Sequence, residues 1–117
     1  MTDRILYHLA SDAEWEAAQA AGEIRPESLA TEGFVHCSWD HQVAATAGRH
    51  FPGQADLLLL RLDPDALGAP VIEEDSYGSG TAYPHVYASI PASAIVATST
   101  YPCRPDGGFD RPPPVTG

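Results

Sequence analysis

Apolar and polar positions alternate at the start of the chain in a pattern that predicts a strand followed by a helix. Residues Arg4 to Leu9 (RILYHL) predict the strand. Ser11 and Glu14 have the spacing of a capping box, in which each side chain satisfies a free backbone N–H group of the other residue. The alanine-rich segment that follows, DAEWEAAQAA, is typical of a helix, and Gly22 stands where a left-handed helix stop is expected.

The next segment predicts a second strand and a second helix. Pro26 and a polar run over residues 23–32 predict a loop or short turn. Gly33 to Ser38 (GFVHCS) predicts a strand, and Asp40 or Ser38 can cap a helix from His41 to about His50. The buried stripe of this helix should consist of Val43, Ala44, Ala47 and Phe51.

The second half of the chain consists mainly of strand patterns. The run DLLLLRLD, Asp56 to Asp63, is apolar on both faces and predicts a central strand. Further strand candidates are Val71 to Glu74, His85 to Ala88 and Ile95 to Tyr101. Two helices near the N-terminus and a mostly antiparallel or split β-sheet predict an α+β fold. We expect one domain over residues 1–101.

The segment from residue 102 to residue 117 differs in composition from the rest of the chain. It contains five prolines and three glycines. Because proline removes a backbone donor and fixes φ, this segment cannot form a helix or a central strand. We expect a tail that wraps the surface or stays mobile.

The charge balance restricts the partners of the protein. Six arginines, no lysine and sixteen acidic residues give a net charge of −10, so extended nucleic acids and anionic membranes are excluded as partners. A small ligand remains, including an anionic one held by an arginine or a helix N-terminus. We find no signal peptide or membrane-spanning run, and two cysteines make no disulfide framework, so the cytoplasm is the simplest location. The oligomeric state stays open.

Three histidines lie in similar strand contexts. The residues on either side of His8, His36 and His85 are apolar or aromatic, or are a proline. Since side chains alternate across a strand, apolar neighbours that face the core would turn each histidine the other way. Taken singly, each is an isolated, hydrogen-bonded strand histidine; taken together, they predict one cleft with the imidazoles within about 10 Å of one another.

Metal and thiol chemistry are weaker interpretations. No His-x-His or His-x-x-x-His pair fixes two ligands on one element, so we expect no metal, although a histidine-based metal hydrolase remains an alternative. Cys37 should alternate away from His36 into the core, where a thiol packs. Arg49 can hold a phosphate or interact with the dipole at the C-terminal end of its helix.

Several segments together resemble the domain-of-unknown-function family 952. They are the helix with Trp15, the runs PESLATEGFVHCSWDHQVAATAGRHFPG and LLLLRLD, the acid at Glu73 and the segment YPHVYASIP. The resemblance covers nearly the whole chain up to Tyr101, and EGFVHCS and PHVY are its most specific parts.

The layout of this family is similar to a minimal ADP-ribosyltransferase fold, which implies NAD as substrate. On this resemblance His8 binds the nicotinamide ribose, His36 replaces a stacking tyrosine, and Glu73 or His85 polarises the ribose. Catalysis would rest on His36, Glu73 and His85, and NAD binding on His8, Ser11, Ser38, Arg49 and Tyr87. The implied function is transfer or hydrolysis of ADP-ribose; a non-catalytic small-ligand or protein-interaction module is the alternative.

Overall fold

Three antiparallel β-sheets and three α-helices form the fold over residues 4–76 and 78–112, the part of the chain that this computed structural model describes. Short 3-10 turns cover Asp40–Gln42, Pro64–Ala66 and Ala92–Ala94. The helices and strands are β1 (Leu6–Ser11), α1 (Asp12–Ala21), β2 (Glu23–Ile24), α2 (Glu27–Thr31), β3 (Val35–His36), β4 (Ser38–Trp39), α3 (Val43–His50), β5 (Leu57–Leu62), β6 (Val71–Glu74), β7 (Tyr83–Val86), β8 (Ile90–Pro91) and β9 (Ile95–Thr100).

The largest sheet has the order β4-β1-β5-β9, and its centre is the ladder between β1 and β5. Leu57 and Leu59 pack on one face against α3, while Leu60 and Leu62 belong to the core on the other face. Burial on both faces explains why the run around Leu58 lacks polar alternation. The prediction of a central strand here is confirmed.

Helix α1 begins and ends at the predicted residues. The Ser11 hydroxyl accepts a hydrogen bond from the backbone N–H of Glu14, and Gly22 closes the helix with φ of 78° and an N–H bond to the Ala18 carbonyl. An L-residue with a Cβ atom adopts this left-handed conformation only at a cost, which is why glycine suits the position.

The predicted strand from Gly33 to Ser38 is divided between two sheets. Strand β3 pairs with β7 in the sheet β3-β7-β6, whereas β4 pairs with β1 in the large sheet. Cys37 lies between them, and its backbone N–H bonds to the Pro84 carbonyl. The prediction of one continuous strand is therefore wrong, and the strict alternation of side chains expected from it does not apply across Cys37.

Other boundaries differ by a few residues from the prediction. Residues Glu27–Thr31 form the short helix α2 inside the segment expected to be a loop or turn. Strand β7 begins at Tyr83, ahead of the expected His85 to Ala88. The architecture is a mixed α+β fold with antiparallel sheets and few helices, as the sequence predicts at that level.

The described part of the C-terminal tail packs onto the large sheet. Phe109 is buried, and its ring stacks on Tyr101 with centroids 5.3 Å apart. The Gly53 N–H donates to the Gly107 carbonyl at 3.1 Å, which joins the tail to the turn after α3. Residues 102–112 therefore cover one face of the core; residues 113–117 lie outside the described residues.

A histidine-lined cavity as the candidate functional site

A cavity of about 610 Å³ lies where β1, α2, the β3–β4 connection and α3 meet. This volume is within the usual range of small-molecule sites. Leu9, Pro26 and Phe51 provide apolar walls. The histidine and glutamate side chains that line it are His8, Glu14, Glu27, Glu32, His36 and His50.

His8 is held by an acceptor at each ring nitrogen. Its Nδ1 lies 2.8 Å from the backbone oxygen of His36, and its Nε2 lies 2.8 Å from a carboxylate oxygen of Glu14. A carbonyl and an ionised carboxylate can only accept, so both ring nitrogens donate and the imidazole is cationic. Burial lowers the pKa of His8, but hydrogen bonds with Cys37 and Glu14 outweigh burial and raise it from 6.5 to about 10.

Glu14 is a site residue, although its place in the sequence predicts only a role in helix capping. Ser11 and Glu14 do form one half of the predicted box, through the Glu14 N–H. The Glu14 carboxylate, however, points back to His8 on the preceding strand. The six-residue separation of His8 and Glu14 across a strand-to-helix turn was the available signal for this pair.

His36 forms the second imidazole–carboxylate pair of the cavity. Its Nε2 donates to a carboxylate oxygen of Glu32 at 2.9 Å, and its side chain is 32% exposed. Glu32 lies at the end of α2, so the short helix that the sequence did not predict positions this acid. The pair lies in the cavity wall, where it can exchange protons with a ligand or with water.

His85 is buried behind the cavity and does not line it. It is paired with His36 across β3 and β7, with ring centroids 5.1 Å apart, and it stacks on Phe34 at 4.0 Å. Its Nδ1 donates to Glu74 at 2.8 Å, and its Nε2 has no hydrogen-bond partner among the described residues. The expected common cleft therefore holds for His8 and His36 but not for His85, which is fully buried and does not line the cavity.

Glu73 and Tyr87 also lie outside the cavity. Glu73 accepts hydrogen bonds from Arg4 at 3.3 Å and from the Trp39 indole at 3.0 Å. Neighbouring residues on a strand point to opposite faces, so Glu74 and not Glu73 reaches His85. The Tyr87 hydroxyl donates to Glu74 at 2.6 Å. The structure therefore places Glu73 outside the cavity that His8 and His36 line.

The remaining predicted binding residues have three different positions. Ser11 is the α1 cap and does not line the cavity. Ser38 lines it, with its hydroxyl donating to Thr46 at 2.9 Å. Arg49 lines a recess of about 30 Å³ that shares His36 and three other lining residues with the main cavity.

Cys37 is buried and contacts the apolar cluster between the sheets, as predicted, and it also lines both the cavity and this recess. His50 completes the wall from α3, and burial together with the charges of His36 and Arg49 lowers its pKa. The cavity thus combines a cationic imidazole, acid–base pairs and a thiol.

No group of three or more histidine, cysteine, aspartate or glutamate side chains in residues 4–76 and 78–112 is arranged to hold a metal ion. Within the same ranges, the helices are too short or too polar to cross a bilayer.

Comparison with known proteins gives a family and a solved fold. The model of the family DUF952, described as a protein of unknown function, matches residues 9–98. A crystal structure of protein CC0527 from Caulobacter crescentus is 34% identical, with 91% of this chain and 93% of that chain covered and a TM-score of 0.78. The solution NMR structure of CC0527 is 33% identical over 89% of this chain and 90% of that chain, with a TM-score of 0.76. No curated protein matches the sequence.

Proposed function

The chain belongs to the DUF952 family of proteins of unknown function, and we propose that it binds NAD in the histidine-lined cavity and cleaves the bond between nicotinamide and ribose. The observation that carries this proposal is the hydrogen-bonded pair of Glu32 and His36, half-exposed in the wall of a ligand-sized cavity. The resemblance to ADP-ribosyltransferases suggests the substrate, and the pair supplies chemistry that the reaction needs.

The bond cleavage places positive charge on the ribose. As the bond between the anomeric carbon and the nicotinamide nitrogen breaks, its electron pair leaves with nicotinamide and the ribose becomes an oxocarbenium ion. A carboxylate such as Glu32 stabilises this charge and orients a ribose hydroxyl. Water or an acceptor hydroxyl then attacks the carbon, and its proton passes to the Glu32–His36 pair.

The charge of the cavity suits one half of the dinucleotide. The nicotinamide ring of NAD is cationic and its ribose carries hydroxyl donors, and Glu27 and Glu32 supply carboxylate acceptors. The pyrophosphate is anionic and needs cations. Arg49 in the adjoining recess supplies a guanidinium, whose planar fork suits phosphate oxygens.

The roles of individual residues change from those that the sequence suggested. Glu32 replaces Glu73 as the acid that faces the ribose. His8 has an acceptor at both nitrogens, so it acts by holding Glu14 and the His36 carbonyl in the cavity wall. His85 supports His36 from behind.

The test compares two glutamates that differ in position. Nicotinamide release from NAD is measured for the wild type, for Glu32→Gln and for Glu73→Gln as the matched control outside the cavity. We expect Glu32→Gln to lower release on the order of 10²-fold or more, because it loses the charge that stabilises the transition state. Glu73→Gln should release nicotinamide at the wild-type rate.

Binding is measured in parallel by ligand-observed NMR with NAD, nicotinamide and ADP-ribose. If none of the three binds at millimolar concentration, the NAD proposal is wrong. Equal loss of activity in both glutamine variants would remove the assignment of Glu32.

A non-catalytic ligand-binding module is the second candidate. The observation in its favour is that the protein itself engages both nitrogens of His8 and the hydroxyl of Ser38, which leaves fewer groups for catalysis. Such a module would bind a ligand in the same cavity without releasing nicotinamide.

A further inference from the structure

We propose that Cys37 is a nucleophile that forms a covalent bond with a small electrophile in the cavity, activated by His8 and Glu14. The electrophile is an acyl or alkyl carbon that bears a leaving group. This activity goes beyond cleavage of NAD and does not depend on it.

His8 and Cys37 both line the cavity. Strands β1 and β4 pair Leu6 with Trp39 and Tyr7 with Ser38, and His8 and Cys37 are the next residues of the two strands beyond this short ladder. The carbonyl that His8 Nδ1 contacts at 2.8 Å also belongs to the peptide bond that joins His36 to Cys37.

His8 faces the thiol as a cation. Because Glu14 and the His36 carbonyl both accept from its ring, the imidazole keeps both protons. An imidazolium next to a cysteine stabilises the thiolate, which is the nucleophilic form of the side chain. Glu14 orients the imidazolium from the first turn of α1.

The two cysteines of the chain, Cys37 and Cys103, differ in whether they line the cavity. Cys37 lines the cavity and the adjoining recess, so a ligand in the cavity lies beside this residue. Cys103 packs at the edge of the cluster under the tail and lines neither. Cys103 therefore serves as an internal reference for an ordinary thiol.

The covalent step needs no further reactant. The thiolate of Cys37 attacks the electrophilic carbon, a carbon–sulfur bond forms, and the leaving group departs with the electron pair of the broken bond. With an alkyl iodide the product is a thioether and iodide. With an acyl donor the product is a thioester, and the departing oxygen or sulfur takes its proton from water.

The experiment measures alkylation of each cysteine by iodoacetamide in the folded protein. Peptide mass spectrometry separates the two sites, and Cys37→Ser confirms the assignment. At pH 6.5 we expect Cys37 to react at least about tenfold faster than Cys103. Glu14→Gln should slow Cys37 roughly tenfold at this pH and leave Cys103 unchanged, because the imidazolium that stabilises the thiolate loses its orienting partner.

The ratio of the two rates in the wild type gives a measurement that needs no variant to fold. A Cys37 that stays unmodified in the folded protein, or that reacts no faster than Cys103, overturns the proposal. So does a folded Glu14→Gln variant in which Cys37 reacts as fast as in the wild type.

Discussion

The Nε2 atom of His8 lies 2.8 Å from a carboxylate oxygen of Glu14, so a buried cation on β1 is neutralised from the first turn of α1. A buried charge without a partner costs several kcal/mol, and this pair avoids that cost within a span of seven residues. The pair ties the strand to the helix that follows it and sets the charge of the cavity floor.

This pair predicts how stability depends on pH. The pKa of His8 is raised from 6.5 to about 10 in the folded protein. Its contribution to stability is therefore fully present below pH 6.5, falls as pH rises, and is lost once pH passes about 10. Urea unfolding at pH 6 and at pH 9.5 should show a lower midpoint at the higher pH. In Glu14→Gln this difference should shrink, and an unchanged difference would show that another group causes it.

Ser11 should contribute to the stability of the fold and not to the affinity for ligands. Ser11→Ala removes the hydroxyl that caps α1, and such a loss costs about 1 kcal/mol in the free energy of unfolding. Ser11→Asp keeps an acceptor at the cap and should restore most of it. Because Ser11 does not line the cavity, affinity for any cavity ligand should be the same in all three proteins. A weaker affinity in folded Ser11→Ala would show that Ser11 contributes to ligand binding.

Phe109 should contribute to the core although it lies in the tail. Phe109→Ala removes a buried ring that stacks on Tyr101, and a buried phenylalanine truncated to alanine costs about 3–5 kcal/mol. The exposed residue Thr98 provides a control, since Thr98→Ala removes no buried group. Equal unfolding midpoints for the two variants would mean that the tail does not stabilise the fold in solution.

His85 should tolerate an aromatic replacement better than a small one. Its ring is fully buried and stacks on Phe34, while its Nε2 has no partner among the described residues. His85→Phe keeps the stack and removes that unpaired atom, although it gives up the bond to Glu74. His85→Ala leaves a cavity in addition, so it should unfold more easily by at least about 1 kcal/mol. The opposite order in urea unfolding would show that the hydrogen bond to Glu74 outweighs packing.

Local signals in the sequence were sufficient for several elements. Capping at Ser11 and Gly22 fixed both ends of α1, because these residues act through bonds to their own helix. The apolar run around Leu58 identified the central strand, because only burial on both faces removes polar alternation. The mixed α+β class followed from the order of these elements.

The parts that were missed depend on pairing over long distances. A strand of two residues has no detectable period, so the division of residues 33–38 between two sheets could not be read from the pattern. His85 looks like His36 in sequence, and only the packing of β7 between β3 and β6 explains its burial. Glu73 and Glu74 are adjacent, so the choice between them rests on strand register.

The two strands that flank Cys37 contribute two residues each to their sheets. Few backbone hydrogen bonds therefore fix the wall of the cavity, in contrast with the six-residue ladder between β1 and β5. Segments with few such bonds open at a lower free energy than the core. A ligand bound there would contact groups from both sheets at once and stabilise the junction between them. Hydrogen exchange of the Val35 and Cys37 amides would then slow on binding even if the rest of the molecule did not change.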